Sequence, residues 1–190
     1  MNGMSETRTG SGKVVVNRAM SLDGFVAGPD DDMDWIIDAV PPDELAANAA
    51  ATGAMLVGRR TYDVGARMKA ERPDSTDYPF AGPLFLLTHR PPDPPDPAVT
   101  VLTGDIARAV ATARAAAGGK DLEILGSDVA AQCLRRGLVD ELLVYVLPVL
   151  LGDGVRLLPP GLPGTDLEPL SSTRSGAVTV LRFRVRRTAP

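Results

Sequence analysis

The sequence predicts a layered α/β fold. Short runs rich in valine, isoleucine and leucine alternate with alanine-rich amphipathic segments over most of the chain, the pattern of helices packed on a sheet. After Leu167 the pattern changes to two extended runs on either side of Arg174-Ser175-Gly176, which describes a C-terminal antiparallel hairpin. With 190 residues, 44% hydrophobic content and a formal net charge of −4, the chain has the material for one well-buried domain. That domain is expected over residues 13–187, behind a polar tail at 1–12 that is expected to be disordered.

Taken in order, Lys13 to Arg18 is the first expected strand. Pro42 suits the first turn of a helix, where its missing N–H needs no partner, and Asp43 and Glu44 behind it favour the positive end of the helix dipole. This helix leads into a second strand, Ala54 to Gly58, and then into a helix from Thr61 to about Met68. Leu84–Thr88 and Ala98–Leu102 are further strands, separated by the stiff, proline-rich surface connection Pro91 to Pro97. Asp105 to Ala117 places Ile106, Ala109, Val110 and Ala113 on one helical face and stops at Gly118-Gly119. Leu122–Leu125 is a strand, Asp128 to Arg136 a helix with Ser127 as its expected cap, and Asp140–Val149 a strongly apolar strand. In the hairpin, Leu167–Ser172 pairs with Ala177–Val185, whose alternation leaves one face solvated.

Composition excludes several classes of function. Basic residues are interleaved with acids and aromatics make up 4%, which leaves neither a basic stripe nor stacking platforms for nucleic acid. The longest apolar stretch, Leu142 to Leu151, is too short to span a bilayer, and the first residues lack the apolar core of a signal peptide. No membrane partner and a cytoplasmic location are therefore expected. One cysteine, Cys133, and one histidine, His89, make neither an intrachain disulfide nor a Cys/His zinc set, so no metal is expected. Cys133 and Met55 read as core residues.

Chemistry concentrates where strands end. Gly58-Arg59-Arg60-Thr61 combines a glycine, two guanidinium groups and a hydroxyl at a strand-to-helix junction, which suits a phosphate; alternatively, Thr61 merely caps a helix beside two solvated arginines. Gly126-Ser127-Asp128 repeats the sequence of strand end, glycine and helix start, a seat for a pyrophosphate, and Thr88-His89-Arg90 closes another strand. Ligands gather at the carboxyl ends of strands in open α/β sheets, so these segments are expected at one site. The loop after the first strand, Ala19 to Trp35, is more elaborate than a connector needs to be. Within it Asp30 to Asp32 read as a solvated acidic turn, and Asp23 is either a turn-forming residue or a carboxylate aimed into a cleft.

Ser21-Leu22-Asp23-Gly24, Gly58-Arg59-Arg60-Thr61-Tyr62, Leu87-Thr88-His89-Arg90, Ile124-Leu125-Gly126 and Pro148 to Gly154 with Arg156, in this order and spacing, resemble the dihydrofolate reductase-like superfamily. The resemblance is to its RibD C-terminal domain family in particular, the reductase domain of riboflavin biosynthesis and its free-standing bacterial members, and it covers about Val14 to Val185. It implies a three-layer α/β/α fold on a mixed, mostly parallel sheet with a C-terminal antiparallel hairpin. It also implies NADPH as cofactor and an oxidoreductase that reduces a small pterin-like or pyrimidine-like heterocycle, similar to 5-amino-6-(5-phosphoribosylamino)uracil or dihydrofolate reductases.

The same resemblance assigns roles. Gly58, Arg59, Arg60 and Thr61 would hold the cofactor's phosphates, with Thr88, His89 and Arg90 near the adenosine 2′-phosphate and Gly126 and Ser127 against the pyrophosphate. Ala19, Val26 and Gly28 would border the nicotinamide, and Asp23, Trp35 and Tyr62 the substrate, with Asp23 the expected catalytic carboxylate. In folate-reducing relatives an acid early on the first helix contacts the pterin ring, and here Asp43 or Glu44 occupies that region. Many relatives carry a second glycine where Ser127 stands, and the deaminase zinc motif of the bifunctional riboflavin enzyme is absent. The apolar run Asp140 to Val149, together with the dimers common among relatives, predicts a homodimer. The alternative is a nucleotide- or flavin-binding protein on the same fold without turnover, or an interaction domain that has lost the cofactor.

Overall fold

The computed structural model describes residues 12–72 and 78–186, so the tail expected to be disordered lies, except for Gly12, outside the described residues. An eight-stranded sheet organises the chain. From one edge to the other it contains β5 (Val99–Leu102), β4 (Leu84–Leu87), β3 (Thr52–Gly58), β6 (Asp121–Leu125), β1 (Val14–Ser21), β7 (Glu141–Leu147), β10 (Val178–Val185) and β9 (Leu167–Ser175). The strands from β5 to β7 run parallel, and β10 and β9 close the sheet as the antiparallel hairpin. Pro169 sits on the edge strand beside a register shift between Arg182 and Phe183, a place where a missing N–H costs the ladder least.

Alternation along the strands feeds two cores. On one face Val14, Val16, Leu56, Ile124 and Leu142 pack with α3 (Ile106–Ala116) and α4 (Ser127–Arg135), which contribute Ile106, Ala109, Val110, Ala113, Val129 and Cys133. On the other face Val15, Leu143, Tyr145, Val178 and Val180 pack with Val40 and the partly buried Trp35, Ile36 and Leu45, the last on α1 (Pro42–Ala51). Both faces of the sheet are therefore covered, as parallel strands require. Asp105 caps α3 as its sequence position suggests, accepting from the N–H groups of Ala107 and Arg108. Cys133 is fully buried, and burial pushes its thiol up to about 12, consistent with a core residue.

Three sequence expectations change. The apolar run of β7 has its cover within one chain, because β1 and β10 flank it and its side chains alternate between the two cores. Its hydrophobicity is thus no argument for a dimer. The loop after β1 contains a short strand, β2 (Phe25–Ala27), paired with β8 (Val155–Arg156) in a separate two-stranded sheet. This pairing depends on Gly154, at φ 134°, where an added Cβ would stand 2.1 Å from the Ala27 carbonyl oxygen. Finally, α2 (Arg59–Glu71) begins at Arg59 with Gly58 as its N-cap, so Thr61 lies inside the first turn and does not cap the helix.

One buried polar cluster lies on the α1 side of the sheet. Glu123, 4% exposed, accepts from the Tyr78 hydroxyl at 2.8 Å, from Thr52 Oγ1 at 3.1 Å and from Asn48 Nδ2 at 3.1 Å. Burial raises the pKa of its carboxyl, while the hydrogen bonds from Tyr78, Thr52 and Asn17 and the nearby charge of Arg18 oppose that rise. Removing the phenolic donor in Tyr78→Phe should lower stability by roughly 1.5–3 kcal/mol, since a buried charged acceptor loses a partner. The melting temperature, followed by circular dichroism, should fall by about 3–12 °C; an unchanged value would mean that Glu123 is neutral and already satisfied.

Candidate active site

Parallel strands point their carboxyl ends to one edge of the sheet, and there a cleft of about 850 Å³ opens. Two helix N-termini meet in it. Chain reversal at Gly126, with φ 107°, starts α4, and an added Cβ there would stand 2.8 Å from Thr61 Oγ1 in the first turn of α2. At Gly58, ahead of α2, an added Cβ would stand 2.9 Å from Val129 of α4. Each glycine is thus required by the close approach of the other helix, and the unpaired N–H groups of both helices face the same space.

Of the residues the sequence singled out, Val26, Gly58, Arg59, Arg60, Thr61, Thr88, His89, Arg90, Gly126 and Ser127 line this cleft. Their electrostatics differ from the expectation of free arginines. Arg59 Nε is held by Asp63 Oδ1 and Oδ2 at 2.8 and 3.0 Å, one helical turn on, and its Nη1 donates to the Arg90 carbonyl. Arg60 Nε is held by Asp31 at 2.7 and 2.9 Å. Asp31 is therefore not part of a solvated turn: its carboxylate clamps Arg60 and its carbonyl accepts from Arg67 at 2.9 Å. Thr88 Oγ1 accepts from the Arg90 N–H at 3.0 Å, which folds Thr88-His89-Arg90 back over the end of β4.

Ser127 does not cap α4. Gly126 takes the N-cap position with no side-chain cap bond, because its positive φ starts the helix one residue earlier than the sequence suggested. The Ser127 hydroxyl is buried without a hydrogen-bond partner among the described residues. A buried orphan hydroxyl at a helix N-terminus, between two glycines' worth of open backbone, fits a phosphate oxygen. Among the described residues no group of three His, Cys, Asp or Glu side chains is arranged to hold a metal, and no helix is long and apolar enough to cross a membrane.

The remaining candidates lie outside the cleft lining. Asp23 Oδ1 accepts from Ser21 Oγ at 2.6 Å, and its carboxylate also accepts from the N–H groups of Leu151 at 3.2 Å and Gly152 at 2.7 Å. The Ser21 hydrogen bond above all, with the two backbone donors, holds its pKa near 2. Such a carboxylate ties the exit of β1 to the 148–153 loop and is a poor proton donor at neutral pH. Gly28 is buried and receives its turn from the Asp32 carbonyl at 2.8 Å. Tyr62 donates to Asp96 at 2.7 Å and so faces the proline-rich connection. Ala19 and Trp35 pack with the core on the α1 side, where half-buried Glu44 raises the pKa of the Tyr145 phenol together with burial, the larger cause. Sequence reasoning gave no site role to Arg18, Phe25, Gly154 or Arg156, which line the cleft; Arg156 stacks 4.6 Å over the Phe25 ring. For Phe25, Gly154 and Arg156 the signal lies in the β2–β8 pairing, which periodicity over two or three residues does not reveal, and Arg18 sits within β1.

The model of the RibD C-terminal domain matches residues 12–181. The chain belongs to the RibD C-terminal domain family. Within the family it is 27% identical over 173 residues to the riboflavin biosynthesis protein RibD of Corynebacterium ammoniagenes, an alignment covering 86% of this chain and 49% of that one. The chain thus spans about half the length of this curated relative. A candidate riboflavin biosynthesis protein from Shewanella sp. PV-4 superposes with a TM-score of 0.76 at 24% identity, over 92% of this chain and 99% of that one. Dihydrofolate reductase from Enterococcus faecalis, in a complex with NADP(H), gives 0.64 at 14% identity, over 94% and 99%. The fold is dihydrofolate reductase-like, as the sequence motifs implied.

Asp23 makes a pH-dependent contribution of definite sign. Its folded pKa lies below the ordinary value of 3.8, so the stabilisation is complete above about pH 5 and is lost as pH falls towards 2. Asp23→Asn should melt at a lower temperature than wild type at pH 7, and the gap should close near pH 2. A gap that persists unchanged through that range would show that the carboxylate's charge is not what holds the 148–153 loop.

Proposed function

We propose that this protein is an NADPH-dependent reductase of a small pterin-like or pyrimidine-like heterocycle, acting as one domain over residues 13–187. The observation that carries the reading is the meeting of two helix N-termini across Gly126 and Thr61, beside the orphan Ser127 hydroxyl, in a cleft rimmed by arginines. That donor set fits a dinucleotide pyrophosphate. Its support is strengthened by a family of reductase domains and by a fold neighbour that holds NADP(H). When bound, the dinucleotide supplies a hydride from its nicotinamide to an electron-poor carbon of the substrate.

The chain's own residues divide the remaining work. Gly58 to Thr61 and Gly126-Ser127 bind phosphate through backbone N–H groups and hydroxyls, and Thr88-His89-Arg90 present donors to the 2′-phosphate. Glu44 is the acid proposed to orient the heterocycle, because it is half-buried, whereas Asp43 is exposed. Asp23 then acts as a positioning residue that fixes the 148–153 loop. A homodimer remains part of the proposal, now through the exposed edge strand β9, which pairs with β10 alone and shows Leu167 and Leu170 at 40% and 37% exposure.

Calorimetric titration checks the cofactor. Wild type should bind NADPH more tightly than NADH, and Arg90→Ala should weaken NADPH by roughly 10- to 150-fold, one charge-assisted hydrogen bond, while hardly affecting NADH. Equal wild-type affinities would overturn the 2′-phosphate assignment. Glu44→Gln should lower turnover by about two to four powers of ten with NADPH affinity unchanged. A chain that binds NADPH but oxidises it with no pterin, folate or aminopyrimidine ribitol compound would favour the binding-protein reading.

A further inference from the structure

Arg18 lies on β1 and lines the cleft, yet its Nε is buried without a hydrogen-bond partner, and among the described residues it forms no ion pair within 4 Å. Burial lowers its pKa to about 10, so the guanidinium is still charged at neutral pH. Glu123 acts on it by charge alone, and that carboxylate is already engaged by Tyr78, Thr52 and Asn48. A half-buried guanidinium whose Nε is buried and unpaired is a standing cost to the fold, and a cleft is where such a cost finds use.

The sheet register says what Arg18 faces. Val16 of β1 pairs with Ile124 of β6, which brings Arg18, two residues on, level with Gly126 at the start of α4. Side chains two apart share a face, and Val14 and Val16 pack in the same core as Val129 and Cys133 of α4. Arg18 therefore rises beside the N-terminus of α4 and the orphan Ser127 hydroxyl. The accounting of charge points the same way: Arg59 and Arg60, the expected phosphate ligands, are already bound to Asp63 and Asp31. Exposed Arg90 lies at the rim, and Arg156 is stacked on Phe25.

We infer that Arg18 binds the dinucleotide pyrophosphate from the floor of the cleft and acts with the Ser127 hydroxyl as its buried counter-charge. The inference rests on the cofactor reading above. A guanidinium fork matches two phosphate oxygens at once, which a backbone N–H cannot do. The pyrophosphate is common to NADPH and NADH, so Arg18 governs affinity for both, whereas the 2′-phosphate donors govern the choice between them.

The test titrates NADPH and NADH calorimetrically into the full chain as wild type, Arg18→Met, Arg18→Lys and Arg90→Ala, and records each melting temperature without ligand. Arg18→Met should weaken both dinucleotides equally, by about 10- to 150-fold, the loss of one charge-assisted contact. Its unliganded melting temperature should not fall, because a buried, unpaired Nε has been replaced by an apolar side chain of similar length. Arg18→Lys keeps the charge but not the fork and should lie between the two; should Arg18→Met fail to fold, the lysine variant is judged by the same equal loss. Unchanged affinity with a lower melting temperature would mark a structural arginine and overturn the inference while leaving the cofactor reading intact. Weakening confined to NADPH would move Arg18 to the 2′-phosphate and overturn the pyrophosphate assignment. Wild type that binds neither dinucleotide overturns the cofactor reading itself and the inference with it.

Discussion

The contact between Gly126 and Thr61 is the constraint on which the site depends. Six strands run in one direction, so every strand-to-helix turn between them opens at the same edge of the sheet, but this alone leaves the helix ends several residues apart. Gly126, at φ 107° and with no room for a Cβ, lets α4 start against the first turn of α2. The unpaired N–H groups of two helices then share one volume, where their partial charges add. A side chain at this position would both strain the backbone and press on the Thr61 hydroxyl, filling the space between the helices.

Around that space the protein arranges charge in two ways. At the rim, Arg60 and Arg59 are paired with carboxylates, Arg60 with Asp31 and Arg59 with Asp63. Solvent-facing pairs of this kind contribute little each, typically about 0–1 kcal/mol, so the Arg60–Asp31 pair fixes the acidic loop to α2 without locking it there. Inside, Arg18 Nε and the Ser127 hydroxyl have no hydrogen-bond partner among the described residues. Satisfied groups at the rim and unsatisfied ones at the floor are the reverse of what a purely structural surface would show, where water serves exposed groups and buried ones find partners.

Asp23 shows how one clasp connects distant parts of the chain. Its carboxylate joins the end of β1 to Leu151 and Gly152, and Arg156 donates to its carbonyl at 3.4 Å from beyond the same loop. The β2–β8 pairing extends that join along the cleft wall. The residues at 21–24 and 148–156, more than a hundred positions apart, thus form one structural unit.

The sequence by itself determined the layers. Alternation and amphipathic periodicity are local properties, so β1, β3, β6 and the face of α3 carrying Ile106, Ala109, Val110 and Ala113 were legible, as was the hairpin made by β9 and β10. The glycine-bearing junctions at Gly58 and Gly126 were legible too, because backbone that must approach another segment closely leaves glycine at a fixed place. Tertiary structure alone decided which polar groups are free. That Arg60 is spent on Asp31, that Tyr62 turns to Asp96, that Asp23 is held by the N–H groups of Leu151 and Gly152 and that Arg18 Nε has no hydrogen-bond partner among the described residues are facts about residues far apart in the chain. A side chain's residue type fixes what it is able to donate or accept, and only the packing of neighbours from other strands and loops fixes whether it has already done so.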